Sequence, residues 1–372
     1  MKKRWFLLLV VFAAINNKAM HAQIKLDALL PVRGFAIGAP SPSYVDSFIL
    51  FIENELAPRK VNTLILRVDY NYQYKTHPEL RDSIALSEED VKKIVKSCRD
   101  RQIKIIPQIN LLGHQSWANH TGRLLAAYPQ FDENPEVTMP ASYQWPNSDN
   151  LYCKSYCPLH PDLHKIVFDI VDELCDVFET NAFHAGMDEV FYIGNDNCPR
   201  CKGIDRARLF AGEVTRIHDH LATSKRQLWI WGDRLIDGAT SGVGMWEGSM
   251  NNTWPAIDMI PKDVMICDWH YERPDTTPSY FAKKGFRVMS CCWRDPVVAT
   301  AQLTDIVALR RQSSKQLKPK FAGMIQTVWS RPNAFINGFY QNTPAARENG
   351  DSPTVTTPWD CFRQLFDAIE KL

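Results

Sequence analysis

The chain is predicted to fold as a single (β/α)8 barrel, and three observations predict it. Eight short β-rich runs alternate with amphipathic runs of helical period. Most of the eight runs are almost continuously apolar, as parallel strands buried on both faces must be. No glycine-rich phosphate loop follows the first of them, which disfavours the competing doubly wound sheet. A length of 372 residues suits a barrel with insertions.

The elements follow in order. The first strand is placed at Val32–Ile37 and the second at Asn62–Val68. Ser87-Glu88-Glu89-Asp90 resembles a capping box, and Val91, Ile94, Val95 and Cys98 then recur at helical spacing. The third strand is Ile103–Ile109. The Asn/Pro-rich stretch from Glu133 to Asn150 is a long loop and not a domain linker. Leu163, Ile166, Val167, Ile170, Val171, Leu174 and Phe178 make a helical stripe before the fourth strand, Ala182–Gly186. Leu209, Phe210, Val214, Ile217 and Leu221 make another before the fifth, Gln227–Trp231. The sixth and seventh strands are Val264–Trp269 and Phe286–Cys291. A stripe of Leu303, Ile306, Val307 and Leu309 precedes the eighth, Gly323–Val328. The last helix starts at Thr357-Pro358, with proline at its first position, and runs to Leu372. The alternation predicts a helix after each strand.

Composition is that of an ordinary globular protein. A net charge of +1 leaves no basic footprint for a nucleic acid. The N-terminus reads as a targeting segment. Lys2, Lys3 and Arg4 are followed by an apolar run from Trp5 to Ile15, too short to span a bilayer. Ala19-Met20-His21-Ala22 offers a cleavage site. The expectation is a signal peptide over residues 1–22, a barrel over 23–372, and a periplasmic or secreted protein. No cysteine near the cleavage site provides a lipoprotein anchor, no later run suits a transmembrane helix, and the sequence sets no oligomeric state.

Ten cysteines lie beyond that site. Cys153 and Cys157, with Cys198 and Cys201 in Cys-Pro-Arg-Cys, suit two local bridges or a zinc site. The loose Cys-x3-Cys spacing and the extra histidines His160 and His164 favour structural disulfides or thiols, so no metal and no cofactor is assigned. Cys291-Cys292 lies in an apolar run and reads as core.

In a barrel, the C-terminal strand ends build the active site. These ends carry Arg67-Val68-Asp69-Tyr70, Asn110 with Gly113-His114, Asp188-Glu189, Trp231-Gly232-Asp233, Asp268-Trp269-His270-Tyr271, Trp293-Arg294-Asp295 and Trp329-Ser330-Arg331. The first strand adds Arg33-Gly34, although Arg33 stands at its start. Asp188 and Glu189 are adjacent acids, and each disfavours ionisation of the other. Alone, such a pair is usually a solvated junction. At a barrel strand end it suits chemistry that needs one acid charged and one protonated. A single tryptophan is ordinary packing. Four at matching strand ends, Trp231, Trp269, Trp293 and Trp329, fit a sugar pocket, because indoles cover the apolar faces of a pyranose while acids bind its hydroxyls.

The run His184-Ala185-Gly186-Met187-Asp188-Glu189-Val190 resembles the His-x-Gly-Gly-Asp-Glu signature of glycoside hydrolase family 20, the β-N-acetylhexosaminidases. Ile106-Pro107-Gln108-Ile109-Asn110-Leu111-Leu112-Gly113-His114 is similar to that family's Pro-Glu-Ile-Asp-x-Pro-Gly-His stretch, and Arg33-Gly34 to its first-strand Arg-Gly. The resemblance implies retaining, substrate-assisted cleavage of terminal 2-acetamido sugars in an oligosaccharide or glycoconjugate. Glu189 is then the general acid, and Asp188 orients the acetamido group and stabilises the oxazolinium it becomes. Arg33 is expected to bind sugar hydroxyls. Trp231, Trp269 and Trp329 are expected around the acetamido group, with Asp233 and Trp293 also in the pocket. His114 and His184 line or back it, with a satisfied buried histidine as the plain alternative for each. The chain departs from the family pattern in several places. Met187 replaces the second signature glycine, and Gln108 and Asn110 replace two acids. Trp293 stands where a tyrosine is expected after the seventh strand, and Arg331 replaces an acid.

Two other readings share the fold. Glu189 with Asp233 or Asp268 as nucleophile would make a retaining glycosidase of another specificity, which requires the two carboxyls about 5 Å apart. A barrel that binds carbohydrate without cleaving it is the third, and the intact Asp188-Glu189 pair speaks against it.

Overall fold

The structure is a computed structural model that describes residues 25–341 and 356–372. Eight parallel strands close a barrel: β1 (Val32–Gly38), β2 (Thr63–Arg67), β3 (Lys104–Leu111), β4 (Ala182–Gly186), β5 (Gln227–Trp231), β6 (Met265–Trp269), β7 (Arg287–Cys292) and β8 (Phe321–Thr327). Each pairs with its neighbours in sequence. β8 closes on β1 from Val32↔Gly323 to Ala36↔Thr327. The expected (β/α)8 class is the observed one, and every strand lies within two residues of its predicted bounds.

Parallel pairing requires crossovers, and helices supply most of them. They are α1 (Val45–Phe51), α2 (Glu88–Asp100), α3 (Leu163–Val177), α4 (Arg206–Thr223), α5 (Thr277–Lys283), α6 (Pro296–Gln312), α7 (Pro332–Gln341) and α8 (Pro358–Glu370). Ser87 and Asp90 form the predicted capping box of α2, and Thr357 and Asp360 form a second on α8. Each N-cap is worth about 1 kcal/mol. Phe35 of β1 packs at ring-centroid distances of 6.0, 5.4 and 5.3 Å against Phe51, Phe335 and Phe362, which docks α1, α7 and α8 on the barrel.

The β5–β6 link breaks the expected alternation. It holds only the single turns Gly238–Ser241 and Gly244–Glu247 and two 3-10 turns, Asp233–Leu235 and Trp254–Asp258. Gly242 and Gly244 take φ of +78° and +81°, and Pro255 follows. Left-handed glycines and a proline end helical turns. Buried Arg234 organises this link instead, donating from Nη2 to the carbonyls of Met245, Trp246 and Gly248.

Side chains alternate across each strand. Ala36, Ile65, Ile106, Trp229, Cys267 and Ile325 are among those filling the barrel interior. Phe35, Ile37, Leu64, Leu66, Ile230 and Ile266 belong to the layer between sheet and helices. This phase turns Arg33 outward with Phe35, and Asp268 outward with Ile266. Cys291 and Cys292 are fully buried, as read from the sequence. Among the described residues no helix is long and apolar enough to cross a membrane. The predicted signal peptide and its cleavage site lie outside the described residues.

Candidate active site

The acid pair leaves the barrel through an unusual backbone. Gly186 ends β4 at φ +68°, and a Cβ there would meet Asn110 Oδ1 at 2.6 Å, so only glycine fits. Met187 and Glu189 then hold φ of +72° and +49°. Around the same mouth Asp69, Leu112 and His114 are also left-handed, at +47°, +64° and +54°. Each such non-glycine residue costs about 1–2 kcal/mol. Strain gathered at one barrel mouth marks a site whose geometry is imposed by its surroundings. The left-handed φ of Met187 accounts for the glycine that the family signature has at this position. Full burial of the Met187 side chain, worth about 1.5–3 kcal/mol, offsets the strain.

Asp188 is buried, and its Oδ2 lies 3.3 Å from His114 Nε2. Glu189 Oε2 lies 3.2 Å from the same nitrogen. Burial works against charge on His114, but Cys153 and Asp188 beside it prevail and hold its pKa well above the ordinary 6.5. Burial likewise pushes Asp188 up, and the charge and hydrogen bond of His114 outweigh it, leaving Asp188 below the ordinary 3.8. Asp188 is therefore an ionised carboxylate in a dry place. Its second oxygen, Oδ1, is buried without a partner among the described residues. Glu189 is held from several sides. Its N–H donates to Asp233 Oδ2 at 2.9 Å, the Cys153 thiol reaches its carbonyl at 3.8 Å, and the Tyr152 hydroxyl bonds its carboxyl.

Aromatic rings wall the space beside Asp188. Trp231 is fully buried, 5.8 Å from Trp329 and 4.5 Å from His184 between ring centroids, with its Nε1 unpartnered. Trp269 stacks on Tyr271 at 4.9 Å, and Tyr271 lies 5.4 Å from Trp293. Trp329 Nε1 donates to the Tyr271 hydroxyl at 2.9 Å. Beside Glu189 a second aromatic group gathers. Tyr152 lies 4.9 Å from Trp246 and 5.5 Å from Trp117, and Trp117 is 60% exposed.

The structure thus brings together Asp188, Glu189, His114, Trp231, Trp269, Trp293 and Trp329. Three expected ligands of the sugar have other roles. Arg33 sits at the opposite end of the barrel. Its Nε donates to Lys60 O and its Nη1 to Leu30 O, both at 2.7 Å, and Nη1 pairs with Asp27 at 2.8 Å. Its place at the strand's start and its outward phase keep it from the mouth. Asp233 is a brace. Its Oδ2 accepts from Glu189 N and Arg234 Nε, and its Oδ1 from Trp269 Nε1. Burial pushes the Asp233 carboxyl up to about 6, against the pull of Arg234. His184 lies a layer deeper, buried, with Nδ1 accepting from Gly186 N at 3.0 Å, and orients the turn before the acids. Asp268 faces the helices, bonded to Thr277 Oγ1 at 2.7 Å and to His270 Nε2 at 3.2 Å.

Other polar residues stand at the same mouth. Arg67, ending β2, lays its guanidinium 4.4 Å over Trp329, donates to Val328 O, and feels the charges of Asp69 and Asp188. Asp69 accepts from Asn110 N at 2.8 Å, so a half-buried carboxyl stands beside the strand-three amides Gln108 and Asn110. Tyr271, after β6, is the pocket's tyrosine. Its hydroxyl accepts from Trp329, and the Thr327 hydroxyl, 3.3 Å away, spends its proton on Cys292 O. The Tyr271 hydroxyl proton therefore has at most a long contact to Thr327 as its acceptor among the described residues.

The profile of glycosyl hydrolase family 20, catalytic domain, matches residues 63–330. A beta-hexosaminidase of Akkermansia muciniphila is 31% identical over 116 residues, which are 31% of this chain and 22% of that protein. A lacto-N-biosidase of Bifidobacterium bifidum is 23% identical over 237 residues, 60% of this chain and 19% of that protein. These shares mean that the chain spans only a minor part of either relative. The crystal structure of a beta-N-acetylhexosaminidase from Bacteroides fragilis superposes with a TM-score of 0.59 at 16% identity, over 92% of this chain and 66% of that one, which shows the shared fold. The profile runs from β2 through β8 and across the acid pair, over well more than half of the sequence, and the chain belongs to glycosyl hydrolase family 20.

Proposed function

We propose that the chain is an exported β-N-acetylhexosaminidase-like hydrolase that cleaves terminal 2-acetamido sugars with retention, by substrate assistance. The observation that carries this reading is Asp188: buried, ionised against His114, with one carboxylate oxygen unpartnered among the described residues. That oxygen accepts the acetamido N–H. The acetamido carbonyl oxygen then attacks the anomeric carbon while Glu189 protonates the departing glycosidic oxygen. The cyclic oxazolinium that forms is positive, and Asp188 stabilises it strongly because the site is dry. Water then adds at the anomeric carbon and gives its proton to Glu189, which restores the acid.

The surrounding residues suit these steps. Tyr271 donates its hydroxyl proton in a hydrogen bond to the acetamido oxygen, the role expected of a tyrosine after the seventh strand. Arg67 binds ring hydroxyls in place of Arg33. Trp117 and Tyr152, beside Glu189, offer faces to the leaving sugar. Asp233 and Asp268 have their oxygens bonded within the protein, which disfavours either as a nucleophile. Export rests on the basic and apolar start from Lys2 to Ile15 and the small residues before Gln23. Nitrophenyl glycosides with and without a 2-acetamido group test the reading. Turnover confined to the acetamido sugars is expected; equal turnover of plain glucosides or galactosides would overturn it.

A further inference from the structure

We propose that Cys157, Cys198, Cys201 and Glu133 form a structural zinc site that ties the loop after β3 to the loop after β4. The four residues are buried, and their ligand atoms all lie within 4.8 Å of one another. Cys157 Sγ is 3.4 Å from Cys201 Sγ and 3.5 Å from Cys198 Sγ. Sulfurs held about 2.3 Å from a tetrahedral zinc stand roughly 3.8 Å apart, so small shifts complete the geometry.

Glu133 supplies the independent pointer to a cation. It is fully buried, Oε1 accepts from Asn195 N at 3.0 Å, and Oε2 has no well-formed hydrogen bond among the described residues, with only the Cys198 and Cys201 thiols against the carboxyl. A buried carboxylate oxygen without a partner is costly. A divalent cation shared with three thiolates removes that cost. Backbone N–H groups are already aimed at the sulfurs, from Arg200 and Cys201 to Cys198 and from Leu159 to Cys157. A disulfide between any two of the three cysteines would strand the third thiol and leave Glu133 uncompensated. Soft thiolates in tetrahedral array select zinc, which brings no redox chemistry of its own. Membership differs from the pairs suggested by spacing. Cys153 lies against the Glu189 carbonyl, His160 packs on Phe131, and His164 bonds Glu213. The site clamps the segment that supplies Tyr152 and Cys153 to the segment that leaves Glu189.

Metal content and thiol accessibility of the full chain, purified without chelators, provide the test. About one zinc per chain is expected, with Cys157, Cys198 and Cys201 shielded from alkylation until a chelator is added. Cobalt substitution should give the intense visible bands of tetrahedral thiolate coordination. Cys198→Ser should abolish stoichiometric zinc. Should that variant fail to fold, Glu133→Gln keeps the side chain's volume and should weaken zinc about tenfold or more against a competing chelator. Peptide mapping that finds a disulfide between two of the three cysteines would overturn the site. So would a reduced, folded chain that takes up no zinc, or a Glu133→Gln variant with unchanged affinity. None of these readouts depends on hydrolysis.

Discussion

Replacing His114 with glutamine removes the positive charge that touches both acids while leaving an N–H donor nearby. At 3.3 Å and an effective dielectric constant near 20, the attraction between His114 and Asp188 is about 5 kcal/mol before desolvation. Breaking a buried pair from one side costs about 3–5 kcal/mol. The sign of the pH dependence follows from the two shifts. His114 is raised in the folded protein, so its contribution is complete below pH 6.5 and is lost as pH rises through the folded value. Asp188 is lowered, so its contribution is complete above pH 3.8 and is lost as pH falls through the folded value. The variant should therefore lose stability most between about pH 4 and neutrality. Without the cation, burial governs Asp188, and its pKa rises. The assay is kcat/KM against pH on a nitrophenyl 2-acetamido glycoside, alongside thermal unfolding. The acid limb should move up by roughly one to three pH units. An acid limb that stays in place in a folded variant would show that His114 does not keep Asp188 ionised.

Glu189→Gln should preserve folding and substrate binding and lower kcat on a natural glycan by about 10²–10⁴-fold, with a smaller loss on nitrophenyl leaving groups; undiminished turnover of the glycan contradicts its role. Tyr271→Phe keeps the ring stacked on Trp269 and should lower kcat/KM on 2-acetamido substrates by about 10²-fold with little change in melting temperature. Unchanged kinetics would mean that its hydroxyl only packs. Arg33→Met strands the carbonyls of Leu30 and Lys60 and should cost roughly 2 kcal/mol of stability without altering KM. A raised KM in a variant that melts normally would return Arg33 to the pocket.

The barrel was legible because eight apolar runs separated by helical stripes admit few other closures. The acid pair and the tryptophans were legible because strand ends in a barrel converge. What hid the rest has a physical cause. A strand buried on both faces is apolar in both phases, so the sequence gives no contrast between inward and outward positions. Arg33 next to Phe35, and Asp268 next to Ile266, could not be assigned a face by alternation. Arg67 carried a usable signal, since it ends its strand in step with Ile65. Tyr271 stands at the sixth strand end, whereas the family pattern has its tyrosine after the seventh. The missing helix after β5 was signalled by Gly238, Gly242, Gly244, Gly248 and Pro255. Glu133 was beyond reach, because a carboxylate far from its cysteines in a long loop announces no partner.

Binding of a thiazoline mimic of the oxazolinium, compared between the wild type and Asp188→Asn, tests the central claim most directly. Asparagine keeps the shape of Asp188 and removes its charge. The account predicts tight binding by the wild type and weakening in the variant by about 10²-fold or more, the scale of a lost charge interaction in a dry site. A wild type that ignores the thiazoline, and instead hydrolyses plain glycosides through a trapped covalent glycosyl-enzyme, would contradict it.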